Sequence, residues 1–539
     1  MFNVRSDVVW PIIYVRGYAM SQSEIDQTTA DPFCGFNIGS TVYRATPDKK
    51  AQPKKFVFES PVVRLGRDFG YSGVYDNGLD IVDKDWSGES IPRGSIVVFR
   101  YYDEASRLLG TGKTPPISQF AQELGVLIAH VRDLVCAHDP MIDAKKFRCY
   151  LVAHSMGGLV CRAFLQNADE ELRRLVDKVF TYATPHNGID MGGFNVPPWL
   201  TVNDIDNFNR DNIANYLKIS DHYEKHGRVD WLPEEVFRSE RFFCMIGTNR
   251  NDYEAAKGLS RTFAGHGSDG LVRIENASVW GVDDKGKISV PCATAYAHRS
   301  HSGHFGIVNS EEAYQNLTRF LFGDVRVDIW IDVTDVRLPA DVEAKAKAGE
   351  DIKALYQFEV LASPRGKRWY LTRRVAEEDS VACRTHAQLA GDTSADKSIY
   401  LSTVFLANYG KVNSKDDSLS YAVTIGVRVP DYEIGGRFWN QEHYEGGYLF
   451  RDTVIIVIDP PAAGGSKWKI QSTWGATGKP HTQEFSADEL ANGQPPQIRL
   501  PFDDARVPGI AGELRFLVRA WNTDHGDASD SASPAASPT

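Results

Sequence analysis

Ser155 lies in Tyr150-Leu-Val-Ala-His-Ser-Met-Gly-Gly-Leu-Val-Cys-Arg-Ala-Phe-Leu165, an apolar run, a tight turn and then a helical pattern. The turn, Ala153-His154-Ser155-Met156-Gly157, has the spacing G-x-S-x-G with alanine in place of the first glycine. Its flanking residues must be small because a sharp strand-to-helix turn presses them on the adjacent strand and helix, and alanine adds only a methyl group. Gly158 supplies one more small residue. The chemistry on offer is nucleophilic: a serine hydroxyl at a strand end, over the positive end of a helix that favours developing negative charge.

A serine hydroxyl needs a base, and the base needs an acid to hold its tautomer. Strand-turn-helix serines of this kind meet those partners in the chain order serine, acid, histidine. Gly267-Ser-Asp-Gly-Leu-Val272 follows an apolar run at Phe242 and makes Asp269 the candidate acid, with Asp252 a weaker one; an Asp-Gly pair is also an ordinary turn. For the base, His304 is chosen from His301-Ser-Gly-His304-Phe-Gly-Ile-Val-Asn-Ser310, with His301 the alternative. Asn309 and Glu312 are expected to cap the helix that follows, whose apolar positions Ala313, Leu317, Phe320 and Leu321 share one face.

Two other patterns invite chemistry and are set aside. His298, His301 and His304 recur every three residues, but Ser302 and Gly303 argue for a loop and no cysteine or carboxylate completes a ligand set. Leu109-Gly-Thr-Gly-Lys-Thr114 ends like a phosphate-binding loop, yet Arg107 stands where glycine is required and Pro115-Pro116 opposes the helix that must follow. Neither a metal nor a cofactor is expected.

The elements that must position these residues are legible as periods. Up to about Asp324, apolar runs at Ile12 to Val15, Ser95 to Phe99, Cys149 to Ala153, Lys178 to Ala183, Phe242 to Gly247 and Ile288 to Ala293 alternate with helical patterns. This predicts a mostly parallel sheet flanked by helices. Ile117, Phe120, Ala121, Leu124, Ile128, Val131 and Val135 keep helical spacing, so 117–136 is an expected helix. From Val325 the period becomes two, at Val325 to Val333 and Leu419 to Val429, with further strands expected at 355–361, 369–374, 399–406, 453–458, 468–473 and 514–521. An all-β sandwich is the expected class of that region. The domains are then 1–324, 325–523 and a small, polar, proline-punctuated tail at 524–539, read as disordered.

The 539 residues, 42% hydrophobic and 24% charged, suit a globular chain of two or more domains. Sixty basic against 71 acidic side chains, a net charge of −11, exclude the basic footprint of a nucleic-acid binder. No run reaches the roughly 18 apolar residues of a membrane-spanning helix. Seven cysteines without Cys-x-x-Cys spacing suggest neither a disulfide framework nor a zinc site. MFNVRSDVVWPIIYV lacks the pattern of a secretion signal, so the expected compartment is the cytoplasm, with signal-independent export open.

Four segments together resemble the serine lipases and esterases of the α/β-hydrolase superfamily. Pro11-Ile-Ile-Tyr-Val-Arg-Gly17 resembles the first strand of bacterial lipases, and Ala-His-Ser-Met-Gly resembles their elbow in its alanine form. Thr184-Pro-His-Asn-Gly188 is similar to the loop after their next strand, and Gly303-His304-Phe-Gly-Ile to the segment around their catalytic histidine. The resemblance implies an α/β-hydrolase fold, Ser155 as nucleophile, Asp269 as acid, His304 as base, and the backbone N–H groups of Tyr18 and Met156 as oxyanion hole. Arg16 stands where these lipases have histidine; it either favours an acidic substrate or pairs with a local carboxylate. His186 reads as a packing residue, not as the base.

The function implied is hydrolysis of a carboxylic ester, a small molecule or a lipid, through an acyl-enzyme. Thioester hydrolysis or acyl transfer would use the same residues, and a non-catalytic binding protein acting through its β domain is the reading from another class. Insertions at 20–56 and 189–240, the second rich in Phe194, Pro197, Pro198, Trp199, Leu200, Phe208, Tyr216 and Trp231, are expected to form a cap over an acyl chain. Lipases with an added β-sandwich make peripheral lipid contact the analogy for the C-terminal region. Substrate identity, chain length and oligomeric state have no signature here.

Overall fold

A computed structural model describes residues 2–17, 41–44, 54–57, 61–74, 81, 85–99, 101, 115–191, 194–195, 207–250, 267–301, 306–375, 382–411, 419–435, 442–459, 467–486, 497–503 and 505–522. Tyr18, Asp252, His304, the Leu109–Thr114 segment, the residues from Pro197 to Leu200 and the tail lie outside them. Two compact units form, Met1–Thr294 with His298–Phe322, and Gly323–Thr539 with Ala295–Ala297.

In the first unit, strands β1 (Ile12–Val15), β2 (Ser72–Gly73), β3 (Ser95–Phe99), β4 (Cys149–His154) and β5 (Val176–Tyr182) form as short apolar runs. Downstream come β6 (Trp231–Pro233), β7 (Phe242–Gly247), β8 (Trp280–Val282), β9 (Ile288–Pro291) and β10 (Ala293–Ala297), of which Ala295–Ala297 are grouped with the second unit. The main sheet has the order β10-β7-β5-β4-β1-β3-β2, and its pairings β2/β3, β3/β1, β1/β4, β4/β5 and β5/β7 are all parallel. Every residue of β1, β3, β4, β5 and β7 is buried, as a parallel sheet covered on both faces requires. Helices α1 (Pro61–Phe69), α2 (Ile117–His138), α3 (Met156–Asn167) and α4 (Glu311–Phe322) flank it. This is the α/β-hydrolase fold, with the chain reversing direction across the sheet at β1, which has β3 on one side and β4 on the other.

The predicted helix at 117–136 runs to His138 and buries each apolar position named for it. Gly125 lets the ring of Phe164 approach from α3: a Cβ there would lie 3.2 Å from that ring. One strand is misplaced by the sequence reading. Residues 288–291 form β9, antiparallel to β8 in a separate three-stranded sheet, and Ile288 and Val290 are exposed. The strand of the main sheet is 293–297, fully buried. Alternation at 288–291 marked a strand correctly, but one of a hairpin with a wet face, and the run Ala-Thr-Ala-Tyr-Ala was too small and plain to stand out.

The helix cap also differs. Ser310 Oγ accepts from the Ala313 N–H at 3.2 Å, while Asn309 closes a 3-10 turn just before it. Glu312 is drawn away to clamp the Arg299 guanidinium, with nitrogen–oxygen distances of 3.1–3.2 Å. A bidentate arginine binds a carboxylate more strongly than one backbone N–H does.

In the second unit, β11 (Val325–Arg337) pairs antiparallel with β15 (Ser398–Leu406) and β21 (Gly509–Ala520), and β20 (Gln497–Asp503) completes a four-stranded sheet. The other sheet joins β12 (Ile352–Pro364), β13 (Thr372–Arg374), β14 (Cys383–Thr385), β16 (Leu419–Ile434), β17 (Glu442–Asp459), β18 (Lys467–Trp474) and β19 (Pro480–Ser486). Val325, Val327, Ile329, Ile331 and Val333 share one core with Tyr421, Val423, Ile425, Val427 and Val429, so the period of two buries one face of each sheet as expected. Strands β19 and β20 escaped the sequence reading, β19 because it is mostly polar. Among the described residues, no helix is long and apolar enough to cross a membrane.

Candidate active site

The turn after β4 has the geometry its sequence demands. Ser155 has φ 52° and ψ −126°, a left-handed conformation that a non-glycine residue adopts only under constraint. The constraint is visible: the Ser155 N–H donates to Tyr182 O of β5 at 2.9 Å, and Ser155 O accepts from the Gly158 N–H at 3.1 Å. A Cβ on Gly157 would fall on the Val15 carbonyl oxygen and 2.6 Å from that of Arg16, so α3 begins directly against the end of β1. A Cβ on Gly158 would collide with the Thr184 side chain, and one on Gly17 would lie 2.6 Å from Ser155 Cβ. Gly157→Ala is therefore expected to cost about 3 kcal/mol or more, because main-chain atoms of the central strand would have to move, and Gly158→Ala less, because it meets a side chain. Denaturant midpoints of the two variants check the ranking.

Ser155 is joined to two residues far along the chain. Its Oγ lies 2.9 Å from His301 Nε2, and His301 Nδ1 lies 3.0 Å from Asp269 Oδ2. With Nδ1–H donating to the carboxylate, Nε2 keeps the lone pair that accepts the serine proton. All three residues are buried, at 4%, 3% and 1% exposure, so the line is shielded from competing water. Asp269 is fixed by its own loop: Oδ1 accepts from the N–H groups of Leu271 at 3.0 Å and Val272 at 2.8 Å, leaving Oδ2 for the imidazole. The main chain of Asp269 accepts from the His301 N–H at 2.9 Å. Such a line can withdraw a proton from a serine hydroxyl as that oxygen attacks a carbonyl.

The histidine in this line is the alternative of the sequence reading. His304, the first choice, lies outside the described residues, and both contacts a base would make are occupied by His301. The shifted strand explains the difference. Because β10 ends at Ala297, His301 follows it by only four residues and already meets the turn after β4 and the Asp269 carboxylate. Of the two oxyanion residues named from the resemblance, Tyr18 lies outside the described residues. Met156 is the first residue of α3, where a backbone N–H has no acceptor within its own helix.

No family model matches this chain, and no curated protein matches it. Among solved structures it is similar to the phospholipase PlaB from Legionella pneumophila, at 11% identity over 88% of this chain and 91% of that one, with a TM-score of 0.32. It is also similar to a protein described as a cell surface hydrolase from Lactobacillus plantarum WCFS1, at 12% identity over 58% of this chain and 90% of that one, with a TM-score of 0.21. Any functional reading has to come from the side chains themselves.

Around the line stands a buried polar framework that the sequence reading missed. Arg162, on α3, donates to the carbonyls of His186 at 3.0 Å, Val229 at 2.9 Å and Trp231 at 2.7 Å. Asn187 accepts from the Val229 N–H at 2.8 Å and donates to Asn276 Oδ1 at 2.9 Å; Asn276 in turn donates to Asp190, which Arg210 pairs at 2.7 Å. The helix of the nucleophile, the Thr-Pro-His loop and the 189–240 insertion are thereby tied together. Phe208 and Trp231 of that insertion are buried. Arg162, a charge inside the apolar stretch Leu-Val-Cys-Arg-Ala-Phe-Leu, carried a signal in the sequence, and His186 and Asn187 stand in the Thr-Pro-His-Asn-Gly segment, whereas Asn276, Asp190 and Arg210 carried none.

His186 is fully buried, with Nε2 3.2 Å from Thr181 Oγ1 and its ring edge-on to Phe242. Burial, aided by the Arg162 charge, holds its pKa well below the usual imidazole range. Burial also lowers His154, to about 3, with further lowering from neighbouring His301 and from Arg16. Both rings take a proton near pH 6.5 when the chain is unfolded and resist it when folded, so stability falls as pH drops below 6.5 and, for His154, continues to fall toward pH 3. Well below pH 6.5 the loss per ring approaches about 1.4 kcal/mol per pH unit, and it is about half of that at pH 6.5 itself. Between pH 6.5 and 5 the two together are expected to remove about 3 kcal/mol, above the range where most carboxylates titrate. Urea unfolding at the two pH values measures it, and His186→Gln should roughly halve the loss.

Proposed function

We propose that the chain is a serine hydrolase of carboxylic esters acting through an acyl-enzyme, with Ser155 as nucleophile, His301 as base and Asp269 as the acid that orients it. The observation that carries this reading is the buried hydrogen-bonded line from Ser155 Oγ through both nitrogens of His301 to Asp269, on a serine whose backbone is held left-handed. As Oγ attacks the acyl carbonyl, its proton passes to His301 Nε2, and Asp269 stabilises the resulting imidazolium. The charge developing on the carbonyl oxygen is met at the start of α3, where the Met156 N–H stands as one oxyanion donor and, by the lipase resemblance, the Tyr18 N–H as the other. His301 then returns the proton to the leaving alcohol, and water repeats the sequence to release the acid. His301 takes the role that the sequence reading gave to His304. The insertion around Trp231 is proposed as part of a cap over the acyl chain.

The test is labelling of the folded protein by a fluorophosphonate, with the modified peptide mapped, alongside hydrolysis of p-nitrophenyl esters from acetate to palmitate. Labelling on Ser155 with ester turnover is the expected result, and the chain-length profile then distinguishes an esterase from a lipase. A folded protein that neither labels nor turns over any ester would overturn the reading and favour binding through the β domain.

A further inference from the structure

His154, the residue before Ser155, is spent on neither nucleophile nor base, yet its ring is aimed at the base. Its Nε2 lies 2.9 Å from the backbone carbonyl oxygen of His301, within the buried interior, and the two rings stand 5.1 Å apart at 43°. A carbonyl can only accept, so Nε2 carries the proton and donates. The opposite edge of the ring faces Gly17: a Cβ there would be 2.9 Å from His154 Nδ1. A larger residue at position 17 would push the ring away from the base, so the glycine at the end of β1 leaves the space the ring needs.

We propose that His154 is a positioning residue that fixes the main chain of the base relative to the nucleophile; this rests on the serine-hydrolase reading and deepens it. The contacts close a ring. Ser155 is covalently bonded to His154, His154 donates to His301 O, and His301 Nε2 accepts from Ser155 Oγ. The other side of the same main chain is held by the Asp269 carbonyl, which accepts from the His301 N–H. His301 is thus gripped on both its backbone groups and on both its ring nitrogens. The strand that ends in His154, directly before the nucleophile, sets where the base stands, through one side chain, and a displacement of about 1 Å at such a site costs on the order of 10²-fold in rate. Ring packing alone would need no donor at Nε2, and that difference separates the positioning role from a merely structural one.

The experiment compares wild type, His154→Phe, which keeps a ring without the donor, and His154→Gln, which restores a donor from Nε2. The readout that does not depend on turnover is the far-downfield proton resonance of His301 Nδ1–H bonded to Asp269, assigned by its loss in His301→Gln. It is expected in wild type, lost or shifted in His154→Phe and recovered in His154→Gln; any other pattern overturns the proposal. Fluorophosphonate labelling of the same three proteins is expected to slow by about 10- to 100-fold in His154→Phe and to recover in His154→Gln. If wild type shows the resonance pattern but does not label, the hydrolase reading falls and the positioning contact stands. If wild type labels and His154→Phe keeps both resonance and rate, the positioning role falls and the hydrolase reading stands. Should His154→Phe lose its native circular dichroism, His154→Leu provides the donor-free variant.

Discussion

Ser155→Ala is expected to lower p-nitrophenyl ester hydrolysis by about 10⁴-fold or more while leaving the folded state intact, because the line through His301 and Asp269 has no purpose without an attacking oxygen. A residue of some 10³-fold over the uncatalysed reaction should survive, since oxyanion donors and binding do not depend on the hydroxyl. The backbone supplies a second, independent reading of the same position. With φ at 52° and ψ at −126°, any side chain at 155 is strained, and the strain is maintained by the bond to Tyr182 O and by the packing of Gly157 on β1. Ser155→Gly should be as inactive as Ser155→Ala and more stable than it by about 1 kcal/mol. Glycine adopts this conformation without a Cβ clash, so a higher unfolding midpoint for glycine would mark strain held for the sake of the hydroxyl. Activity unchanged by Ser155→Ala would remove it as nucleophile whatever the stability result.

The second large effect decides between two histidines three residues apart. His301→Gln is expected to reduce turnover by about 10³-fold or more, and His304→Gln to remain within about tenfold of wild type, because the contacts to Ser155 and Asp269 are already made by His301. The reverse ranking would hand the role to His304 and discard the observed line. Asp269→Asn should fall by about 10⁴-fold through a different cause. An amide cannot hold the proton on Nδ1 as a carboxylate does, so the ring turns its N–H toward Ser155 and can no longer accept. Because Asp269 also accepts from the N–H groups of Leu271 and Val272 through Oδ1, the asparagine variant keeps its turn by presenting its carbonyl oxygen there. Its loss should therefore appear in kcat with little change in thermal stability.

How far the sequence reaches is clearest in these same residues. The apolar strands, the helix at 117–138, the alternation of the β unit and the turn around Ser155 are properties of neighbouring residues, and short-range order reveals them. Ser155 could be named because its flanking small residues answer a steric demand made within a few positions, and Asp269 because an Asp-Gly loop follows a buried strand. The choice between His301 and His304 had no such basis. The two stand three residues apart in the sequence, and the contact of His301 with the serine follows from where β10 stops, a strand whose small residues gave little hydrophobic signal. The bonds that join Ser155 and His154 to His301 span 146 and 147 residues of chain. The links among Arg162, His186, Asn187 and Asn276 are likewise made only when a helix and separate segments of chain come together. Hydrogen bonds require distance and direction between specific atoms, and neither exists until the folded backbone has brought those atoms together.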